Sequence, residues 1–500
     1  MKRLTFLIFT IFLTSQAFFA QDNNVFLDRT FWKENPSIEI IEQHIQNGND
    51  VTARNKYAFD PIVYAILEKT DNTTIVHLLQ KKGNGVNKLT HDGRTYIFWA
   101  AYRNNVEMME YLVEKGAKTN IIDDHGNTVL TFAASTGQTN PKLYDFLLNH
   151  GASISETNKD GANAVLLVTP TLENLEQLAY FLDKGLTLES KDKLGNNVFN
   201  YVARTGNTAM LQLLLDKGVT PKVRNKEGAN AMFFAARGTR GKTNSLDVYK
   251  FLESAGAPAK VSTFDGENPL HILAYREKDL AIFNYFIQKG NAIEIEDPNG
   301  NTPLLNAARS NSVEVVQYLL EKGAALNHQN KIGENELMLA LQNNTPDVVA
   351  FLLDQGTLLE TKDAKGNDAI YYLWTSYKNG TLGQWKEKMA LLKKENVDLS
   401  KSQAGKNTPY HLLVTFDNVE VLKQLEELKI TSKVNDKNSD GLSPLHLAAM
   451  NTKDDVLLKY LLKIGADKSV TTDFGETPYD LAMENELLRK HQIDLNFLKP

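Results

Sequence analysis

The sequence predicts an all-α solenoid of stacked helix-turn-helix units, and three observations carry that expectation. A glycine-centred turn motif recurs at a nearly fixed period along the chain. A second glycine keeps the same rhythm further on in most copies. Between the two, apolar residues fall at helical spacing. Self-similarity on this scale marks a repeat architecture, in which each unit buries its apolar face only against its neighbours.

Composition sets the outer limits. The chain has 500 residues, 42% hydrophobic and 23% charged, without a long polar or Pro/Gly-rich tract. That is the composition of a folded protein. A formal charge of −6 provides no overall basic surface for nucleic acid. There is no cysteine, so disulfides, thiolate nucleophiles and cysteine-based zinc sites are excluded.

The first twenty residues stand apart. Lys2 and Arg3 precede an almost unbroken apolar run from Leu4 to Leu13, and Ala17 and Ala20 supply small residues for cleavage. This is the pattern of a secretory signal peptide. An apolar run of about ten residues is too short to span a bilayer as a helix. Residues 1–20 are expected to direct export, with cleavage after Ala17 or Ala20 and a periplasmic or secreted mature chain. No later stretch approaches the roughly eighteen apolar residues of a spanning helix, so no membrane span is expected in the mature chain.

Residues 21–56 read as an N-terminal capping repeat. They hold Phe26, Phe31 and Trp32, then Pro36, an amphipathic helical pattern from Ile38 to Ile45, and Gly48. An end repeat must face water on its outer side, so a departure from the internal pattern is expected there.

Residues 57–474 read as twelve repeats. Their turn glycines are Gly93, Gly126, Gly161, Gly195, Gly228, Gly266, Gly300, Gly333, Gly366 and Gly441, and Ala58 and Lys406 fill the same slot in two copies. Successive slots lie 33 to 40 residues apart. The first helix of a unit opens at a Thr-Pro pair, intact at Thr302-Pro303, Thr408-Pro409 and Thr477-Pro478. Threonine can accept from an unpaired amide, and proline at the first helical position loses no bond. Paired small residues follow, as at Ala100-Ala101 and Ala307-Ala308, and allow close helix approach. The second glycine, as in Gly116, Gly218 and Gly323, ends the second helix where a left-handed residue is needed. Two units are longer, 225–262 and 363–402, with extra residues within Arg237–Asn244 and Tyr377–Trp385. Such insertions are expected in loops. Residues 475–500, from Gly475, read as a C-terminal capping repeat.

These motifs resemble the ankyrin repeat, whose signature is Thr-Pro-Leu-His-x-Ala at this period. The nearest copies are Ser443-Pro444-Leu445-His446-Leu447-Ala448 and Asn268-Pro269-Leu270-His271. The resemblance covers residues 22 to 500 and implies an ankyrin-repeat solenoid with β-turn or hairpin fingers and about thirteen repeat units; with the signal-peptide pattern of residues 1–20, an exported protein of bacterial type is expected. Several copies depart from it. The Gly228 copy has lost the Thr-Pro pair (Gly228-Ala229-Asn230-Ala231), and such repeats are expected to be less regular.

No motif for catalysis survives inspection. Gly241-Lys242-Thr243 resembles the end of a phosphate-binding loop, but Ala236 stands where that loop needs its first glycine. The histidines lack metal-ligand spacing, and His271, His411 and His446 occupy the family's structural slot between repeats. There is no Gly-x-Ser-x-Gly elbow. No catalytic residue, cofactor or metal is expected. The aromatic clusters Phe98-Trp99, Phe233-Phe234 and Tyr371-Tyr372-Trp374 are expected in the core.

The resemblance implies a protein partner bound on a concave face. Its variable contact positions flank the turn glycine and follow the paired small residues. The latter positions hold Tyr102, Arg103, Arg204, Arg237, Tyr275, Arg276 and Arg309. Four consecutive copies thus carry an arginine at one slot, which suits a partner with an acidic segment. A structural spacer without a groove ligand is the alternative, and an enzyme hidden in the solenoid a third reading.

Overall fold

In the computed structural model, the described residues are 24–378, 381–430 and 433–500. The expected signal peptide lies outside them. The chain divides into two compact units, one ending at Ala259 and the other beginning at Lys260. The same local rules build both.

Most repeats open on a turn organised by one short polar side chain. Asp123 Oδ1 accepts the amides of His125 and Asn127 at 3.0 and 2.8 Å. Asn330 Oδ1 does the same for Ile332 and Glu334 at 3.1 and 2.9 Å. Asn, Asp and Thr favour this arrangement because their side chains reach backbone amides two residues on. The slot residue then turns the chain at positive φ, including Ala58 at 60° and Lys406 at 56°. At Gly333 a Cβ would also lie 2.8 Å from the Cα of Asp363 in the next turn, so only glycine allows that approach. The expected hairpin fingers reduce to turns. Among the described residues only isolated bridges accompany them, at Ile122–Thr128 and Lys191–Asn197. The side-chain oxygen already takes the amides that a longer ladder would use.

First helices begin as the sequence implies. Thr302 accepts the Leu305 amide at 3.4 Å, and Pro303 opens the Pro303–Ser310 helix. Where Thr-Pro is lost, another capping residue serves, asparagine in several repeats. Asn230 Oδ1 accepts the Met232 amide at 3.0 Å while its Nδ2 donates to the Pro258 carbonyl at 2.8 Å. The Gly228 repeat, expected to be irregular, therefore has a complete first helix, Ala231–Arg237. Irregularity falls instead on two others, the Lys406 repeat, whose first helix Pro409–Leu413 passes into the 3-10 turn Val414–Phe416, and the Gly161 repeat. Its first helix stops at Val168 and passes into the 3-10 turns Thr169–Thr171 and Leu175–Leu178, because Pro170 has no N–H to extend the ladder.

Second helices end on a left-handed cap. Beyond Val313–Glu321 the chain turns at Gly323, and the Ala324 amide donates to the Leu319 carbonyl at 3.0 Å. First helices stack on first helices of neighbouring repeats, as Pro303–Ser310 does on Glu336–Asn343, across fully buried Ala307 and Ala308.

A row of side-chain amides ties these layers together. Asn311 Nδ2 donates to the carbonyls of Ala274 and Glu277 at 2.9 and 2.8 Å. Asn344 reaches Ala308 and Asn311 at 2.9 and 2.8 Å, and Asn485 reaches Ala449 and Thr452 at 3.0 and 2.8 Å. Each satisfies carbonyls that the preceding first helix leaves open at its C-terminus.

The two insertions take different forms. In the Gly228 repeat the extra residues make a tight hairpin in which Thr239 and Lys242 exchange backbone bonds of 3.1 Å. In the Gly366 repeat the extra residues are not all loop. The Leu382–Lys394 helix has 13 residues against 9 in Pro346–Asp354, and the added turn lies at its start. Trp385 secures that turn. Its ring lies 5.6 Å from that of Trp374, and its Nε1 donates to the Leu373 carbonyl at 2.8 Å.

At the N-terminal end, Phe26 and Trp32 are fully buried and the Trp32 Nε1 donates to the Phe26 carbonyl at 2.9 Å. The aromatic clusters of the first helices are core residues, except that Phe234 and Tyr371 are half-buried.

Candidate partner-binding surface

The residues that follow the paired small positions end the first helices, so their side chains emerge where the helix gives way to a loop. In the first unit Tyr102 and Arg103 are half-buried. Arg103 turns back: its Nη2 donates to the Leu67 carbonyl, and its guanidinium lies 5.3 Å from the Tyr102 ring. Arg204 is exposed, yet its Nε donates to the Gly238 carbonyl at 2.8 Å. Arg237, the last residue of its helix, is exposed.

In the second unit Tyr275, Arg276 and Arg309 are all exposed. Tyr275 and Arg309 belong to adjacent repeats and act on one another electrostatically. Partial burial raises the Tyr275 phenol above its ordinary value, the Arg309 charge opposes that rise, and Asp297 and Glu267 reinforce it. Carboxylates therefore share this face with the arginines. The four consecutive arginines fall two in each unit, Arg204 and Arg237 in the first, Arg276 and Arg309 in the second.

A second set of exposed residues lies within two residues of the turn slots. Phe474 is 91% exposed and Phe264 74%, and Ile332 and Tyr57 are also exposed. Each is carried on a turn whose backbone is fixed by its own Thr or Asn side chain, as Phe474 is by Thr472 Oγ1 at 3.2 Å. The sequence held the signal: an apolar residue next to the slot, where turn chemistry favours Asn, Asp and Lys. Reading only the helix-end positions misses it.

The titratable groups inside the repeats serve the architecture. Nδ1 of His446 accepts the Ser443 amide at 3.1 Å, and Nε2 donates to the Glu476 carbonyl of the next repeat at 3.2 Å. His411 pairs in the same way with Thr408 and Leu442, and His271 with Asn268, Ile295 and Asn301. One nitrogen accepting and one donating is the neutral tautomer. Burial holds all three below the usual histidine value. Glu336 stands where other repeats have proline, and burial pushes its carboxyl up to about 7. Its Oε2 accepts the Asn327 amide at 3.0 Å, whereas Oε1 is buried without a partner. Among the described residues no group of three or more His, Asp or Glu is placed to hold a metal ion, and no helix is long and apolar enough to cross a membrane.

Comparison with known proteins gives the following. The family model for ankyrin repeats matches residues 33–123, 62–160, 241–330 and 270–363, together just over half of the chain, and a single-repeat model matches 440–473. An ankyrin repeat protein of fowlpox virus is 25% identical over 155 residues, 31% of this chain and 27% of that protein. The phosphocholine transferase AnkX of Legionella pneumophila is 24% identical over 159 residues, 31% of this chain and 17% of that protein. Human protein phosphatase 1 regulatory subunit 27 is 34% identical over 71 residues, 14% of this chain and 44% of that protein. The chain spans between 16% and 27% of the length of the first curated relatives it matches. Among solved structures, the human ASB11 ankyrin repeat domain aligns with a TM-score of 0.37 at 22% identity, over 47% of this chain and 99% of that domain. A predatory endopeptidase of Bdellovibrio bacteriovorus in complex with an immunity protein aligns with a TM-score of 0.33 at 25% identity, over 39% of this chain and 95% of that one.

Proposed function

Because this chain belongs to the ankyrin-repeat family, whose repeats mediate protein–protein interaction, we propose that it is an exported, non-enzymatic scaffold holding a protein partner. The partner lies on the face made by its turn tips and first-helix ends. The observation that carries this reading is the exposure of Phe264, Ile332 and Phe474 on turns fixed by internal hydrogen bonds. Large apolar side chains held rigidly in water bind with little ordering cost, and aromatic residues dominate interface energies. Exposed Tyr275, Arg276 and Arg309 add a hydrogen-bonding and cationic component. That component suits an acidic segment of the partner, since arginine pairs bidentately with carboxylates.

The non-enzymatic reading draws on the roles of the perturbed groups. His271, His411 and His446 each use Nδ1 to cap their own helix and Nε2 to bond the next repeat, so none is placed to move a proton to a substrate. Export draws on residues 1–20. Edman sequencing of the protein recovered from the periplasm or medium tests it: a mature terminus just after Ala17 or Ala20 is expected, and retention of Met1 would overturn it.

Cross-linking capture from the native exported fraction tests the surface. The native chain is compared with two variants of equal circular dichroism, Arg276→Glu/Arg309→Glu and Phe264→Ser/Ile332→Ser/Phe474→Ser. A partner captured by the native chain and lost from either variant supports the scaffold and places its contact. Capture unchanged in both sinks this surface. No specific partner in any arm would favour a spacer whose length matters more than its face.

A further inference from the structure

The second helices repeat a buried apolar position six residues before their last residue. It is Met108, Met210, Ile282, Val315, Val348 and Val421 in six of them, all fully or almost fully buried. In Leu382–Lys394 the same position is Lys388, only 6% exposed. A charge placed where the fold wants a hydrocarbon is costly unless something matches it.

Part of the match is structural. The row of asparagine amides is interrupted here, because Tyr377 stands where Asn344 stands one repeat earlier. The Lys388 ammonium takes over. Its Nζ donates to the Leu341 carbonyl at 2.7 Å and lies 3.4 Å from that of Ala340. An amide performs this task in other repeats without a charge, so the carbonyls explain the reach of Lys388 but not its ammonium. An ammonium has three hydrogens to place, and these carbonyls engage at most two. Among the described residues no carboxylate pairs with it. The charge that acts on it is a second cation, Lys378, and burial together with Lys378 pushes Lys388 down to about 8.

Both lysines line one cavity of about 120 Å³, whose wall also includes Asn344, Ser376, Thr381 and Gln384. No Asp or Glu is among its described lining residues. The first turn of the 13-residue helix opens on it, and its N-cap Thr381 makes no side-chain cap bond. The positive end of that helix and its unpaired first amides favour an anion.

We propose that this cavity is a binding site for a small tetrahedral oxyanion of the phosphate type, held between Lys388 and Lys378 at the start of the Leu382–Lys394 helix. Two point-like ammonium groups suit a doubly charged tetrahedral ion, whereas a planar carboxylate is matched by the fork of an arginine. The cavity admits the ion itself, or the phosphate end of a larger molecule whose remainder stays outside.

The test is equilibrium dialysis of the full mature chain against radiolabelled inorganic phosphate at pH 7, with chloride holding ionic strength constant. Saturable binding of one phosphate per chain is expected. Lys378→Ala, at an exposed position, is expected to weaken it by about ten-fold or more, as loss of a charge-assisted bond implies, with an unchanged circular dichroism spectrum. Lys388→Met, which restores the residue type of the other repeats, is expected to abolish binding; because it also leaves the Leu341 carbonyl without its donor, circular dichroism must first show an unchanged fold. Competition by phenyl phosphate would identify phosphate carried on a larger molecule as the ligand, and its failure to compete would identify the free ion. No saturable binding below about 10 mM, or equal binding by the native chain and both variants, would overturn the proposal.

Discussion

The Arg204 Nε–H donates to the Gly238 carbonyl oxygen at 2.8 Å, so an arginine that sequence proposes as a partner contact is a brace between one repeat and the hairpin of the next. Arg204→Ala is expected to loosen the Gly238–Asn244 segment at a cost of about 1 kcal/mol. Limited digestion with trypsin measures it. Cleavage after Arg240 or Lys242 should accelerate several-fold in the variant, and an unchanged rate would show that the brace does not act in solution.

His446 joins Ser443 to Glu476 across a repeat boundary. Replacing it with alanine leaves a buried amide and a buried carbonyl unmatched, and should cost about 2–4 kcal/mol in urea unfolding. Hydrogen exchange should localise the loss to the Gly441 and Gly475 repeats. Uniform loosening along the chain would contradict a local role.

The same histidines give a pH dependence. Burial lowers the folded values of His271, His411 and His446, so between folded and unfolded values the unfolded chain binds more protons. Their contribution is complete above the unfolded value of about 6.5 and is lost as pH falls below it. Urea midpoints of the native chain should drop between pH 7 and pH 5, and the triple variant His271→Gln/His411→Gln/His446→Gln should show a shallower drop.

Glu336 runs the other way. Its folded value of about 7 lies above the usual 4.5, so its contribution is complete below 4.5 and is lost as pH rises through 7. Such a rise corresponds to a few kcal/mol, about 3 at most. Glu336→Gln should match the native chain in stability near pH 4.5 and exceed it at pH 8. Equal stability at both values would mean that the carboxylate is solvated.

Ala58 and Lys406 hold left-handed backbone without being glycine, at φ of 60° and 56°. Such a conformation costs an L-residue about 1–2 kcal/mol, partly offset by the greater unfolded freedom of glycine. Lys406→Gly should therefore stabilise by about 0.5–1 kcal/mol, a rise of a few degrees in the thermal midpoint. Gly333→Ala is the opposite case and should destabilise by more, because its Cβ would meet Asp363 backbone at 2.8 Å.

Much of this architecture was legible without coordinates. The slot glycines, the Thr-Pro starts and the buried alanine pairs are local devices, and each is written within about ten residues of the place where it acts. The structural histidines were legible for the same reason, since Ser443 and His446 cap one helix between them. The expected irregularity of the Gly228 repeat failed on a local detail, Asn230 serving as a complete substitute for threonine. The irregularity of the Gly161 repeat is written in the sequence at Pro170, which can donate no amide.

What the sequence determined by itself is the period, the helix and turn identities, and the candidate contact positions, because hydrogen-bond geometry and helical spacing act over a few residues. Only the tertiary structure decided which of those candidates are turned inward, as Arg103 is toward Leu67, and which are exposed, as Arg309 is, and that Phe474, outside that set, stands in water. It also decided that the ammonium of Lys388 replaces a missing asparagine 47 residues from its carbonyl partner at Leu341. Such pairings depend on how one repeat seats on the next, and that seating is a property of packed surfaces rather than of any single stretch of chain.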